Sequence, residues 1–409
     1  MSSDRPMDAP PGAYDPAAPA PREEALDPRI DPDAHWVSEE AYDAEADLQA
    51  LDRKDLDAST TTLIWRRFKR NKLAVVSGLY LLLVYLALPF VGFLAPYHPA
   101  QRNEDALFAQ PSPVDFFTDG HLMVSYPLTS AFNPQTFQNE VTYDLEDPRP
   151  VRFFARCGAP TNLLFVFESD LRLLCPPEGA EIYLLGADRL GRDIHSRIMH
   201  GAQLSLTVGL IGVFISFSIG MILGGLAGYF GGLLDAAVQR SIEIIRSMPE
   251  LPIWLALSAA IPANWGPVSV FFMISIILGL LDWPGLARAV RSKFLALREE
   301  DYVRAAELMG ASTTRIVGAH MMPNFMSHLV ASATLSIPGM ILGETALSLL
   351  GLGLRPPAVS WGLMLNDALD LTAVELYWWL LMPMLPVMMI VLAFNFFGDG
   401  LRDALDPYS

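Results

Sequence analysis

Long apolar segments separated by shorter charged ones make up most of the chain beyond residue 72. Three of them contain no charged side chain: Leu73 to Ala95, Ala202 to Leu234 and Leu376 to Phe397. Another, Phe325 to Leu354, is interrupted only by His328 and Glu344. A bilayer core requires about 20 apolar residues per helix. The pattern therefore predicts four membrane-spanning helices in these segments.

The middle of the chain is less clear, because Leu251 to Leu281 is too long for one span and short for two. Basic residues in short loops stay on the cytoplasmic side of a membrane. That rule puts the basic cluster before Leu73 inside, together with Arg246 and the basic segment 284–323. An even number of spans must separate the last two regions. We therefore predict two spans in the middle, the first starting near Ser241, with six spans in all and both chain ends cytoplasmic.

Charge and composition divide the chain into further segments outside the predicted spans. Residues 1–58 carry 16 acidic and 5 basic side chains, which accounts for most of the net charge of −17. Such a segment, rich in Pro, Ala, Asp and Glu, buries too little apolar surface to order itself. The predicted fold class is an all-α membrane protein. Its divisions are a disordered cytoplasmic tail (1–58), an interfacial segment with the first span (59–95), an extracytoplasmic insertion (96–202), a core of five spans (203–402) and a cytoplasmic end (403–409).

The insertion is far too long for a turn between spans. Val151 to Ala155, Leu163 to Glu168 and Glu181 to Leu185 are strand-like, which predicts a small ordered unit. It also contains both cysteines, Cys157 and Cys175. An oxidising outside compartment would permit a disulfide between them, and two free or buried thiols are the alternative.

The segment 300–323, called here the 300–323 loop, predicts two short helices joined by a turn. Asp301 can cap the first helix, Gly310 suits the left-handed turn after it, and Pro323 stops the second from continuing. Ala305 and Ala306 leave the first helix thin enough for another protein to approach closely.

A cytoplasmic helix pair joined to two spans can transmit movement to them. The alternatives are an ordinary connecting loop and a DNA-reading helix pair. A tether between membrane spans, with acidic residues that balance the basic ones, argues against nucleic acid as a partner.

This loop resembles that of binding-protein-dependent ABC importer permeases, whose pattern is Glu-Ala-Ala-x3-Gly-x9-Ile-x-Leu-Pro. Ala305, Ala306, Gly310 and Pro323 stand at the matching positions. Arg304, His320 and Met322 replace the Glu, Ile and Leu, which is similar to the dipeptide, oligopeptide and nickel branch. The resemblance implies that Asp301, Ala311 and the matching residues form an ATPase-coupling site.

The segment from Leu185 to Leu206 resembles the Gly-Thr-Asp-x-x-Gly-Arg-Asp stretch before the second span in the same branch, with an Ala in place of the Thr. It contributes four candidate residues for an outer gate or interface: Asp188, Gly191, Arg192 and Asp193. The segment can close the outer mouth of a pathway or simply anchor the helix that follows.

Glu344 is the acidic residue placed well inside a span, in a Gly-Glu-Thr-Ala-Leu-Ser stretch that also looks like this branch. An ionisable group there normally faces protein or water and has a partner. It can line the pathway and meet a peptide amine, or hold a neighbouring helix by hydrogen bonding.

The chain has no Gly-x-x-x-x-Gly-Lys-Ser/Thr phosphate loop, so ATP must bind elsewhere. No hydrolase elbow or His-Glu-x-x-His helix is present, and His195 and His200 have no evident further metal ligand.

The resemblance implies a non-catalytic inner-membrane permease subunit for peptides, without a cofactor of its own. Its partners would be a homologous permease, two ATPase subunits that bind ATP and Mg²⁺, an external solute-binding protein and membrane lipid. A nickel or other small-solute importer of the same branch is the alternative, and a secondary transporter or a membrane enzyme is a weaker one.

Overall fold

The computed structural model describes residues 60–118, 120–134, 138–163 and 167–405. The tail predicted to be disordered, 1–58, lies outside the described residues. The helices are α1 (Thr60–Arg70), α2 (Lys72–Ala87), α3 (Val91–Leu94), α4 (Ile194–Phe230), α5 (Gly232–Arg246), α6 (Glu250–Ala259), α7 (Pro267–Leu297), α8 (Asp301–Leu308), α9 (Thr313–Arg315), α10 (Met322–Leu349), α11 (Trp361–Asn366), α12 (Leu371–Leu376) and α13 (Met384–Leu405).

Five helical segments of the described chain are long and apolar enough to cross a membrane: Lys72–Leu94, Ile194–Phe230, Pro267–Leu297, Phe325–Leu349 and Trp378–Leu405. They coincide with the four clear apolar segments and with the second half of the ambiguous one. The second span helix begins at Ile194, ahead of the predicted start at Ala202. The chain is mostly helical, as predicted, but it is not all-α, because the insertion contains β-strands.

The first half of the ambiguous segment forms only a short helix. α6 has ten residues and is about 15 Å long, half the thickness of a bilayer core. Pro249 occupies its N-cap and separates it from α5. At its far end the Ser258 hydroxyl donates a hydrogen bond to the Leu352 carbonyl, just past the end of α10.

Small residues let α4 and α7 cross closely. A Cβ atom at Gly224 would lie 2.9 Å from Ala287 Cα, and one at Gly228 would lie 2.8 Å from the Arg291 carbonyl oxygen. Neither distance leaves room for a methyl group. The glycines at the end of the second span therefore pack helices, as expected from their size.

The described part of the insertion between the first two span helices contains seven strands: β1 (Val114–Thr118), β2 (His121–Ser125), β3 (Leu128–Asn133), β4 (Gln138–Tyr143), β5 (Arg149–Pro150), β6 (Arg152–Leu163) and β7 (Phe167–Cys175). All the pairs are antiparallel, in the orders β1-β2-β5, β3-β4 and β6-β7.

Two of the three strand predictions are wrong in detail. Leu163 is the last residue of β6 and Phe167 the first of β7, and the two are paired, so one strand does not run from Leu163 to Glu168. The segment Glu181 to Leu185 is not a strand, because its backbone N–H groups donate to side chains and not to the backbone of a neighbouring strand. Ile182 N–H donates to the Tyr97 hydroxyl (2.7 Å) and Tyr183 N–H to Ser112 Oγ (2.8 Å).

One buried arginine attaches the β6–β7 hairpin to the end of the first span helix. Arg172 donates to the carbonyl oxygens of Ala95 (2.7 Å), Gly92 (3.3 Å), Ala159 (2.6 Å) and Cys157 (3.1 Å). A disulfide joins Cys157 to Cys175 within the same hairpin. The last helical carbonyls of the span are thereby satisfied by a side chain.

Candidate functional site

The 300–323 loop packs firmly onto the ends of two span helices. Val303 and Ala306 on α8 are buried, in a cluster with Phe294 near the end of α7 and with Ile316 and Phe325 at the start of the next span. Because Val303 and Ala306 are three positions apart, they share one face of the helix. The opposite face, which includes Ala305, is exposed.

Gly310 ends α8 in the left-handed conformation (φ 77°) with open space around it. Its N–H donates to the Glu307 carbonyl, and Ala311 N–H donates to the Ala306 carbonyl (3.0 Å). The bond from Ala311 to Ala306 is the one that closes a Schellman motif; the sequence predicted only the left-handed turn at Gly310.

Two details of the loop prediction are wrong. Asp301 is the first residue of α8 and not its cap; Glu300 occupies the N-cap without a side-chain hydrogen bond. Pro323 does not end a helix but lies in the first turn of α10, where its missing N–H costs little. A π-helical turn, Ile316–Met321, joins α9 to α10.

The end of α8 exposes two large apolar side chains that the sequence reasoning missed. Leu308 is 90% exposed and Met309 is 82% exposed. Leu308 is five positions after Val303, which places it off the buried face. Met309 is the C-cap residue, where the chain leaves the helix. Their signal in the sequence was an apolar pair immediately before the terminating glycine.

A polar contact also attaches the loop to α4, and further polar contacts join the end of α7 to α4 and α5. Glu307 Oε1 accepts a hydrogen bond from the Tyr229 hydroxyl (3.0 Å), and Arg298 donates to the Tyr229 carbonyl (3.2 Å). Nearby, the hydrogen bonds of Arg291 to Asp235 lower the pKa of that carboxyl group and pair α7 with α5.

At the other end of the helices, Asp188 organises the segment before α4. It is 3% exposed and accepts hydrogen bonds from the backbone N–H groups of Leu190 (2.9 Å) and Arg192 (3.1 Å), from Arg192 Nε (2.7 Å) and from Arg197. The arrangement holds this segment as a closed turn against α4, which favours anchoring of the helix.

Asp193 and Gly191 complete this turn. Asp193 caps α4 by accepting a hydrogen bond from Ser196 N–H (2.7 Å), and burial raises the pKa of Asp193 to about 7. Gly191 has φ 66°, and a Cβ atom there would lie 2.8 Å from the Asn103 carbonyl carbon. Arg189 and Arg192 reach Asp367, at 3.0 and 3.9 Å, on the connection after α11.

Glu344 is fully buried within the chain. Its oxygens accept hydrogen bonds from Ser205 on α4 (3.1 Å) and Ser348 on α10 (2.7 Å). Ser205 Oγ also accepts from Trp361 N–H (3.2 Å), and Ser348 Oγ from Leu354 N–H (3.0 Å). These bonds link three parts of the chain and support the helix-linking role; the pathway-lining role stays a prediction.

Within the described residues, no group of three or more His, Cys, Asp or Glu side chains is arranged to hold a metal ion. His200 is instead engaged with the Ser196 carbonyl oxygen at 2.9 Å.

The described fold is that of an integral membrane protein whose span helices meet a packed helical loop with an exposed apolar end. The family described as binding-protein-dependent transport system inner membrane component matches residues 220–408. The N-terminal transmembrane domain of oligopeptide transport permease C matches residues 59–111.

Similar whole proteins agree with this. The dipeptide transport system permease protein DppC of Bacillus subtilis (strain 168) is 32% identical, over 92% of this chain and 93% of that protein. The di/tripeptide permease protein DppC of Pseudomonas aeruginosa (strain UCBPP-PA14) is 42% identical, over 58% and 77%. The oligopeptide permease protein OppC of Haemophilus influenzae is 38% identical, over 61% and 78%.

The chain belongs to the family of binding-protein-dependent transport system inner membrane components. The predicted resemblance is confirmed, and this is a multi-pass permease subunit of the ABC transporter class. Among solved structures, the MetNI methionine ABC transporter is 18% identical with a TM-score of 0.40, over 52% of this chain and 98% of that one.

Proposed function

We propose that this chain is one of two homologous permease subunits in an ATP-driven peptide importer, where it forms half of the translocation pathway. Three similar proteins are named for dipeptide, tripeptide or oligopeptide transport, which supports peptides over nickel as the substrate class. Two partner subunits bind ATP and Mg²⁺, and an external solute-binding protein delivers the peptide. The permease itself performs no catalysis.

The exposed pair Leu308 and Met309 carries the proposal. Large apolar side chains exposed together typically mark a surface that another protein covers. This pair ends a helix whose other face is buried against α7 and α10, so a force on it reaches both span helices. Leu308 and Met309, with Asp301, Ala305, Gly310 and Ala311 around them, form the proposed contact for an ATPase subunit.

A sixth crossing completes the proposed topology. α5 is paired with the end of α7 beside the loop, whereas Ser258 at the end of α6 reaches Leu352 at the opposite end of the bundle. The chain therefore traverses the bundle between them, partly as a short helix. With six crossings, the loop and both chain ends are cytoplasmic, and the insertion faces outside.

On the outside, the turn built on Asp188, Gly191, Arg192 and Asp193 closes the mouth of the pathway by anchoring α4 to Asp367. Glu344 lies on α10, and its carboxyl group accepts a hydrogen bond from Ser205 on α4. We infer that it keeps these two helices together while the pathway alternates between its two openings.

Replacement of the exposed pair tests this proposal. We expect Leu308→Ser combined with Met309→Ser to abolish co-purification of the ATPase subunits, because the apolar contact is lost while the buried face remains intact. The measurement is affinity capture of this permease from detergent-solubilised membranes of the native host, with quantification of each subunit.

The matched control is Leu145→Ser, since Leu145 is also exposed (63%) but lies in the insertion. It should retain the ATPases in full. The proposal fails if the double variant retains them like the control does, or if the unaltered permease captures no ATPase.

A further inference from the structure

An aromatic side chain flanked by two arginines is exposed on β6. Phe154 is 67% exposed, and Arg152 and Arg156 on either side of it are exposed as well. Arg156 also lies 3.7 Å from Asp170 on β7, and its side chain remains 80% exposed. Phe154 has φ 51°, a backbone conformation that bulky residues rarely adopt. The hairpin therefore keeps a large apolar ring exposed, and it does so with an unfavourable backbone conformation at that residue.

The ring lies at the end of the first span helix. The centroid of Phe154 is 5.9 Å from that of Phe93, in the last turn of the span. Arg172, on the neighbouring strand, is bonded to the carbonyl oxygens of Gly92 and Ala95. The height of Phe154 relative to the span is thus fixed by a ring contact and by buried hydrogen bonds.

The first span helix exposes an apolar face along its length. Its exposed side chains are Leu73, Val76, Leu79, Leu82, Leu83, Leu86 and Phe90, between 43% and 64%. The helix is long and apolar enough to cross a membrane, and acyl chains suit a face of this kind. Phe90 and Phe93 continue it to the end of the span, and Phe154 follows directly.

We propose that the β6–β7 hairpin is an interfacial membrane anchor. The Phe154 ring enters the boundary of the outer hydrocarbon layer beside Phe93, and Arg152 and Arg156 meet lipid phosphates on either side. Aromatic residues concentrate at this depth because the interface accommodates their rings. Arginine side chains extend towards the headgroups while their stems remain in apolar surroundings.

The occupant proposed is lipid and not a protein, because the ring lies at the end of a helix long and apolar enough to cross a membrane and is flanked by cationic side chains that suit lipid phosphates. The proposal is independent of the transported substrate and of the ATPase contact.

Photo-crosslinking of the assembled transporter tests it directly. Benzoylphenylalanine replaces Phe154 in the full complex, which is placed in nanodiscs of phosphatidylethanolamine and phosphatidylglycerol. After illumination, the intact mass of this chain is measured. We expect adducts of phospholipid mass at position 154, as at Leu83 in the middle of the first span.

The matched control carries the same label at Leu145, which is equally exposed but flanked by Asp144 and Glu146. Adducts there should not exceed background. The proposal is overturned if position 154 crosslinks to another subunit, or gives no lipid adduct while position 83 does. If the variant at 154 does not assemble, the same label at Arg152 decides between these outcomes.

Discussion

Arg172 shows how one side chain can connect two structural units. The guanidinium has five N–H donors, and in the described structure its acceptors are four carbonyl oxygens from the first span and from its own hairpin. The sequence could not single it out, because Arg152, Arg156 and Arg172 look alike in a strand pattern. Only the packing decides which of the three is buried.

Substitution of this residue should loosen the insertion. Arg172→Met removes every donor of this side chain and leaves the buried Ala95 carbonyl without it, whereas the Gly92 carbonyl keeps the Thr161 hydroxyl, so we expect a loss of about 1–3 kcal/mol. Protease sensitivity of the insertion and the melting temperature of the purified complex measure this. Arg102→Met is the matched control, because that residue is exposed in the same insertion and should change neither quantity. Equal effects of the two substitutions would contradict the assigned role of Arg172.

At the scale of elements, the crossing of α4 and α7 depends on which face each glycine occupies. Gly224 faces the backbone of Ala287, whereas a Cβ atom at the adjacent Gly225 would lie 3.5 Å from the Phe294 ring, an ordinary contact. The two glycines are neighbours in sequence, and their structural demands differ.

We therefore expect opposite results from two alanine substitutions. Gly224→Ala should destabilise the permease by about 1–3 kcal/mol, because a methyl group cannot fit against a backbone. Gly225→Ala should be neutral or stabilising by up to about 1 kcal/mol, because alanine favours helix. Thermal unfolding in one detergent, followed by the fluorescence of the native tryptophans, compares the two. A larger loss at Gly225 would refute the described crossing.

Hydropathy predicted those elements whose membrane-spanning segments are continuous. Lys72–Leu94 and Trp378–Leu405 were clear because each contains an uninterrupted apolar run long enough to cross a membrane. α6 was less predictable, since a ten-residue helix gives no full-length signal. Leu308 and Met309 were missed because two apolar residues at a helix end do not show in the sequence whether they are exposed. Their role also depends on a partner outside the chain.

For the whole molecule, the central prediction concerns coupling between peptide and ATP hydrolysis. The complex of this permease with its partner subunits, reconstituted in liposomes, should hydrolyse ATP faster when binding protein and a short peptide are both supplied. The reason is that closure of the ATPases must reach the pathway through the 300–323 loop. Peptide alone and Ni²⁺ with binding protein are the controls. Stimulation by Ni²⁺ and not by peptide would assign the transporter to another substrate.

The bonds made by Arg172 also impose an order on biosynthesis. Its partners at Gly92 and Ala95 precede it by 80 and 77 residues. In the proposed topology, the first span enters the membrane before the ribosome has made Arg172, and the exported hairpin then folds back onto the end of that span. A chain truncated between the first span and residue 172 would leave the carbonyl groups of Gly92 and Ala95 without the Arg172 donor.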